Sequence, residues 1–240
     1  MRRKNNLLGR NIAFIHIPRT GGTYFTSHII NLLRKNSYKI MNSWEHLDRD
    51  WTKKELLSFL DKKDSRPMFV HNHLENWDKE LIKKYKEEKW FLISFIRHPG
   101  DRLCSEYFYF KILEKWNIDL NEYIKKISQK SRTGSRIPNY WKELDYITEF
   151  NEKNIKKFFK KYFNYKHVSS GSINDSDNKG YNYYLDKSHI TKDAKIILEN
   201  SEEFQSYLKI KNKEFLKDTY FRLKKLIIYI LESIFKKHPL

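Results

Sequence analysis

Three largely apolar runs of strand length stand out in the first hundred residues, and each stops at polar or basic residues. They are Phe14-Ile15-His16-Ile17 before Pro18-Arg19, Met68-Phe69-Val70 before His71, and Trp90 to Ile96 before Arg97. Near-continuous runs of this kind suit strands buried on both faces, as in a parallel sheet. Elsewhere the spacing changes to a helical period. Phe25, Ile29, Ile30, Leu32 and Leu33 fall on one face of a helix, and Asp101 through Tyr107 and Phe110 reads as another. Thr52–Leu60, Trp77–Lys84, Ile155–Phe163 and Ile190–Glu199 carry the same signal, while Tyr165–Val168 has the length of a short strand. The expected class is α/β with a central parallel sheet. At 240 residues, with no internal repeat or low-complexity linker, the chain is read as one domain over 1–240. Its core spans about 12–210, and a C-terminal helix spans about 213–237.

The chemistry-bearing residues follow these runs. Arg19-Thr20-Gly21-Gly22-Thr23 turns directly from a strand into a helix. Such a turn presents backbone N–H groups and a helix N-terminus to one point, which suits a phosphate. The glycines admit close approach of an anion, and Arg19 adds a fixed charge. An ordinary strand-to-helix turn would also carry a glycine pair. No G-x-x-x-x-G-K-[ST] and no G-x-G-x-x-G occurs anywhere, which excludes a Walker loop and a dinucleotide fingerprint.

After the third run, Arg97 at a strand end and Ser105 on the following helix can grip one phosphate, although a surface ion pair is the plainer use of Arg97. After the second run, His71 and His73 alternate on an extended segment and so share a face. A metal would need further ligands, and Glu75 is the one acidic residue close by in sequence. Structural hydrogen bonding and general-base work both suit the pair, since imidazole titrates near neutrality. All three landmarks lie at predicted carboxyl ends of strands, where open parallel sheets bind ligands.

The segment Phe14 to Thr23 resembles the 5′-phosphosulfate loop of sulfotransferases that use 3′-phosphoadenosine 5′-phosphosulfate (PAPS). It is most similar to the carbohydrate 2-O-sulfotransferase-like branch, whose loop usually reads H-I-P-K-T-G-G-T. Arg19 stands where that pattern has lysine. Guanidinium does not deprotonate near neutrality, so it offers charge stabilisation without proton donation. Arg97, Pro99, Arg102, Ser105 and Tyr107 fall in register with the same family's R-x-P-x-x-R-x-x-S-x-Y motif. The resemblance implies a three-layer α/β/α fold with a P-loop-like nucleotide-binding core. It implies a 5′-phosphate cradled by Gly21, Gly22 and Thr23 with the Thr20 and Thr23 hydroxyls assisting. Arg97 and Ser105 would hold the 3′-phosphate, and Arg102 would brace the loop. His98 takes a slot usually filled by Asp or Asn, next to the site at most. His73 would be the base, His71 its neighbour, and Arg19 the cation at the leaving oxygen, with no metal required. The chain departs from the family at Thr148-Glu149, where Gly-Arg is common, before Lys166-His167-Val168-Ser169 on the path to the last core strand. Lys179, beside Gly180 after a polar stretch from Gly171 to Asn178, is a candidate to close over the nucleotide. Arg132, Gly134 and Arg136 lie in a second loop, of the kind that commonly chooses the substrate.

A net charge of +18 suits an anionic ligand, and the lysines are spread along the chain rather than blocked. PAPS fits that sign. A lysine-rich coding bias produces the same balance, and so does a nucleic-acid or membrane partner. No specific nucleic acid is expected, and the acceptor is expected to be a small molecule or a glycan. The single cysteine, Cys104, fits a reducing compartment. Without a signal-like or spanning segment the expectation is a cytoplasmic enzyme of bacterial or phage type. Leu226 to Leu231, flanked by lysines, could lie on a membrane surface or pack against a partner, with packing on its own domain the plainer use. An ATP-dependent phosphotransferase and a basic nucleic-acid-binding protein are the alternative readings.

Overall fold

The computed structural model describes residues 6–47, 49–61, 64–114, 117–129, 137–165, 181–186 and 189–237. Within them one sheet is built from β1 (Ile12–His16), β2 (Lys39–Asn42), β3 (Met68–His73), β4 (Phe91–Ile96) and β5 (Tyr146–Glu149). The strand order is β2-β3-β1-β4-β5 and every pairing is parallel. The three apolar runs of the sequence are the three inner strands. Every residue of β1 and β4 is buried, as strands covered on both faces require. The outer strands β2 and β5 are short and only partly buried.

The helices are α1 (Gly22–Arg34), α2 (Ser43–His46), α3 (Lys53–Ser58), α4 (Lys79–Glu87) and α5 (Pro99–Glu114), then α6 (Leu120–Gln129), α7 (Glu152–Phe163), α8 (Tyr181–Asp186), α9 (Lys192–Glu199) and α10 (Glu202–Lys237). Side chains alternate across the sheet and feed two separate cores. On one face Phe14, Phe69, Ile93 and Phe95 pack with Phe25 and Ile29 of α1 and with Phe158 and Phe159 of α7. On the other, Ala13, Ile15, Val70 and Leu92 meet Leu56 of α3 and Leu81, Ile82 and Tyr85 of α4. The result is the expected three-layer α/β/α arrangement. A third cluster, from Leu103 to Leu198, joins α5, α6 and α9 beside the sheet.

Local chemistry sets the helix ends a few residues from where apolar spacing put them. Thr52 is a cap, its hydroxyl accepting from the Glu55 N–H while Glu55 returns the bond, so α3 starts at Lys53. Asp78 caps α4 by accepting from the Leu81 N–H, and Thr191 caps α9 by accepting from the Ala194 N–H. Asn151 caps α7 four residues before the first apolar signal at Ile155. The C-terminal helix begins at Glu202 rather than near 213, because its first turns pack on the domain through Glu203, Tyr207 and Ile210. Tyr165 lies in no strand, and 166–168 lie outside the described residues.

Candidate functional site

The loop that leaves β1 closes on itself. Arg19 and Gly21 both take left-handed backbone angles, with φ 64° and 78°. The buried Thr20 hydroxyl donates to the Ile17 carbonyl at 2.7 Å. Thr20 is therefore a brace of the loop, its donor spent internally, while Thr23 stays exposed in the first turn of α1. Both glycines are required by contact. A Cβ at Gly21 would lie 2.1 Å from the Phe150 ring, and one at Gly22 would lie 2.0 Å from His16 Nε2. The α1 N-terminus has neither an acidic residue in its first turn nor a side-chain cap, so its partial positive charge remains uncompensated by side chains there.

Arg19 leans from this loop onto α5. Its Nε and Nη2 donate to Ser105 Oγ at 3.3 and 3.1 Å, and its guanidinium lies 4.4 Å from the centre of the Tyr109 ring. Arg97, just past β4, donates from Nη1 to the Arg19 carbonyl at 3.5 Å. Burial lowers the Arg19 pKa and the Arg97 charge adds to this, against Tyr109 and Glu106, yet a guanidinium stays protonated near neutrality. Thus the residues assigned separately to the two phosphates form one cluster at the ends of β1 and β4, joined through Arg19, which bonds to Ser105 and accepts from Arg97.

A second cluster lies beside it at the ends of β1 and β3. The strand register sets His16 opposite His73 and Phe14 opposite His71. Phe14 stacks on both His16 and His71, with ring centres 5.6 and 5.3 Å away. His71 Nδ1 lies 2.7 Å from Asn42 Oδ1, and its Nε2 lies 3.2 Å from His16 Nδ1. An amide oxygen only accepts, so the proton of neutral His71 sits on Nδ1. His71 Nε2 then accepts from His16 Nδ1–H, and His16 Nε2, the nitrogen against Gly22, carries the lone pair. Burial pushes His71 down to about 3 and His16 well below the usual imidazole value, with the neighbouring histidines adding repulsion. The lowered values favour neutral rings, and three of their four nitrogens tie β1, β3 and β2 together.

His73 is different. Its Nδ1 lies 2.9 and 3.2 Å from the two oxygens of Asp50. The carboxylate accepts the Nδ1 proton, which leaves the basic lone pair of the neutral ring on Nε2. Burial would raise the Asp50 pKa, but the hydrogen bond and charge of His73 outweigh it and hold Asp50 below the usual carboxylate range. Asp50 is itself fixed in place. Asn72, pointing to the other face of β3, accepts from the Trp51 N–H at 2.8 Å and donates to the Trp51 carbonyl at 2.9 Å. The His-Asn-His segment therefore orients one histidine against a carboxylate that its middle residue pins.

Neither His16 nor Asp50 was singled out by sequence reasoning. His16 could have been found, since it lies inside the first landmark and alternates with Phe14. Asp50 comes from a loop ahead of α3 and carries no local signal. Arg102 does not brace the phosphate loop as expected. It is buried between Glu106 and Glu203, bonding to Glu203 at 2.7 Å, and so clamps α5 to α10; the two carboxylates raise its pKa against the burial that lowers it. Glu106 is consumed there, and Glu45 pairs with Arg34 at 2.8 Å. His98 packs edge-on to Phe204 and Tyr207 of α10, and burial lowers its pKa. Glu149, at the Thr148-Glu149 departure, accepts from the Tyr207 hydroxyl and from Lys211. Lys179, Arg132, Gly134, Arg136 and the stretches 166–169 and 171–178 lie outside the described residues. Among the described residues no group of three or more His, Cys, Asp or Glu is arranged to hold a metal ion.

The sequence profile of the sulfotransferase family matches residues 9–162. That span contains β1 to β5 and both clusters. An uncharacterized protein of Methanocaldococcus jannaschii is similar to this chain, 31% identical over 100 residues. The matched stretch is 39% of this chain and 27% of that protein.

Proposed function

The chain belongs to the sulfotransferase family, whose chemistry is sulfuryl transfer, and from that premise we propose that it moves the sulfuryl group of PAPS to a carbohydrate hydroxyl with His73 as general base. The observation that carries this reading is the Asp50–His73 pair, at 2.9 Å, one strand away from the cationic cluster of Arg19, Arg97 and Ser105. The donor supplies an activated sulfuryl group whose leaving group is a phosphate.

The roles then follow from the side chains. His73 Nε2 accepts the hydroxyl proton as the acceptor oxygen attacks sulfur, and the Nδ1–H bond to Asp50 stabilises the imidazolium that forms. As the bond from sulfur to the bridging oxygen breaks, negative charge grows on that oxygen. Arg19 and the α1 N-terminus, with Gly21, Gly22 and Thr23, stabilise it, while Thr20 holds the loop shape. Arg97 and Ser105 recognise the 3′-phosphate, and the Arg19–Ser105 contact ties that recognition to the position of the catalytic cation. His71 and His16 keep the floor of the site rigid and neutral. Lys179 is a further candidate contact to the nucleotide.

Titration calorimetry without Mg²⁺ tests the nucleotide half of this reading. Charge-assisted contacts are worth about 1.5–3 kcal/mol, so adenosine 3′,5′-bisphosphate should bind about 10–150-fold tighter than AMP. Equal affinities would remove the 3′-phosphate site.

A further inference from the structure

The last helix carries a stripe of exposed apolar side chains. α10 meets the domain along one face: Glu203 pairs with Arg102, Ile210 is buried, and Tyr207 and Lys211 reach Glu149 at 2.7 and 2.6 Å. At 3.6 residues per turn, Leu208, Phe215, Leu216, Tyr220 and Leu223 fall on the opposite face. They are 39%, 70%, 67%, 62% and 54% exposed, and Phe215, Leu216, Tyr220 and Leu223 follow one another at helical spacing. In sequence the stripe continues at the same spacing through Leu226, Ile227, Ile230, Leu231 and Ile234, on a helix whose backbone runs to Lys237.

Charge decides what covers it. From Lys209 to Lys237 the chain has nine Lys and Arg against three Asp and Glu, and the positions of Lys213, Lys217 and Lys224 border the stripe. We propose that α10 lies on an anionic lipid surface, its apolar stripe in the boundary between headgroups and acyl chains and its lysines at the level of the phosphates. A second copy is the poorer partner, because pairing along the stripe would bring these lysines together on chains that each carry +18. No helix of the described residues is long and apolar enough to cross a membrane.

Flotation of the full chain with vesicles tests this. Binding to phosphatidylcholine vesicles containing phosphatidylglycerol should exceed binding to phosphatidylcholine alone by about tenfold and weaken with salt. The doubly exposed change Phe215→Ser with Leu223→Ser keeps the charge and should keep the melting temperature, yet lower vesicle binding by about tenfold. Absence of flotation with the anionic vesicles would overturn the proposal. So would equal flotation by the variant, which would mark general attraction of a basic protein. A dimer in sedimentation velocity that the same variant disperses, without flotation, would assign the stripe to a second copy and overturn it as well.

Discussion

Asp50→Asn is the perturbation that isolates the carboxylate behind the base. Asparagine keeps the size of the side chain and can still accept through its oxygen, so the loop pinned by Asn72 and Trp51 should persist. What is lost is the charge 2.9 Å from His73 Nδ1. A hydrogen bond to a charged partner is worth about 1.5–3 kcal/mol, against about 0.5–1.5 for a neutral one. The transition state, in which His73 becomes cationic, should therefore lose roughly 1–2.5 kcal/mol, or about 5–70-fold in kcat. Affinity for adenosine 3′,5′-bisphosphate should stay within about twofold, because no donor contact is assigned to Asp50. Single-turnover transfer and calorimetry measure the two quantities on the same samples. The stricter control is a cycle with His73→Ala, in which Asp50→Asn should add almost nothing once the imidazole is gone. A full further loss in that background would mean Asp50 acts on something other than His73, and the dyad would be discarded.

Arg97→Ala should weaken bisphosphate binding by about 2–3 kcal/mol in calorimetry, whereas Arg19→Ala should reduce kcat more than affinity and Arg19→Lys should keep most of the rate. The reverse ranking would exchange their roles. Gly22→Ala places a methyl group against His16 Nε2, so His16 or α1 must shift; the melting temperature should fall by several degrees, with transfer lost beyond what the melting curve explains. His71, pushed down to about 3, and His16, also lowered, bind protons in the unfolded chain before they do so in the folded one. Their contribution is thus present above the ordinary imidazole value of about 6.5 and lost as pH falls below it, at up to about 1.4 kcal/mol per pH unit for each ring. Denaturant unfolding between these limits should steepen accordingly, and a His71→Gln chain should show a shallower decline.

The parts of the fold that were legible are those where burial is two-sided. β1, β3 and β4 read directly from their apolar runs because both faces of the sheet are covered there, and the candidate site residues follow the ends of the same runs. The outer strands failed to register for the complementary reason. Lys-Ile-Met-Asn and Tyr-Ile-Thr-Glu are short and half-exposed, so no run marks them. Periodicity marked α1, α3, α4, α5, α7 and α9, whereas α2, α6 and α8 were not read from it; helix starts followed caps such as Thr52, Asp78 and Asn151, which apolar spacing does not see. At the site, residues on one strand or one turn could be paired from sequence, and His71 with His73 is such a case. Contacts between elements could not. Asp50 reaches His73 only through the fold, and Arg102 finds Glu203 about a hundred positions away, which turned an expected loop brace into a clamp between helices.

Transfer of label from sulfur-radiolabelled PAPS to a panel of oligosaccharides, by the wild-type chain and by His73→Ala side by side, decides whether His73 is the base of a sulfuryl transfer. The wild type should yield labelled acceptor without added metal, and His73→Ala should be slower by about 10²–10⁴-fold at unchanged bisphosphate affinity. Transfer by His73→Ala at the wild-type rate, or none from PAPS to any hydroxyl offered, would contradict that role.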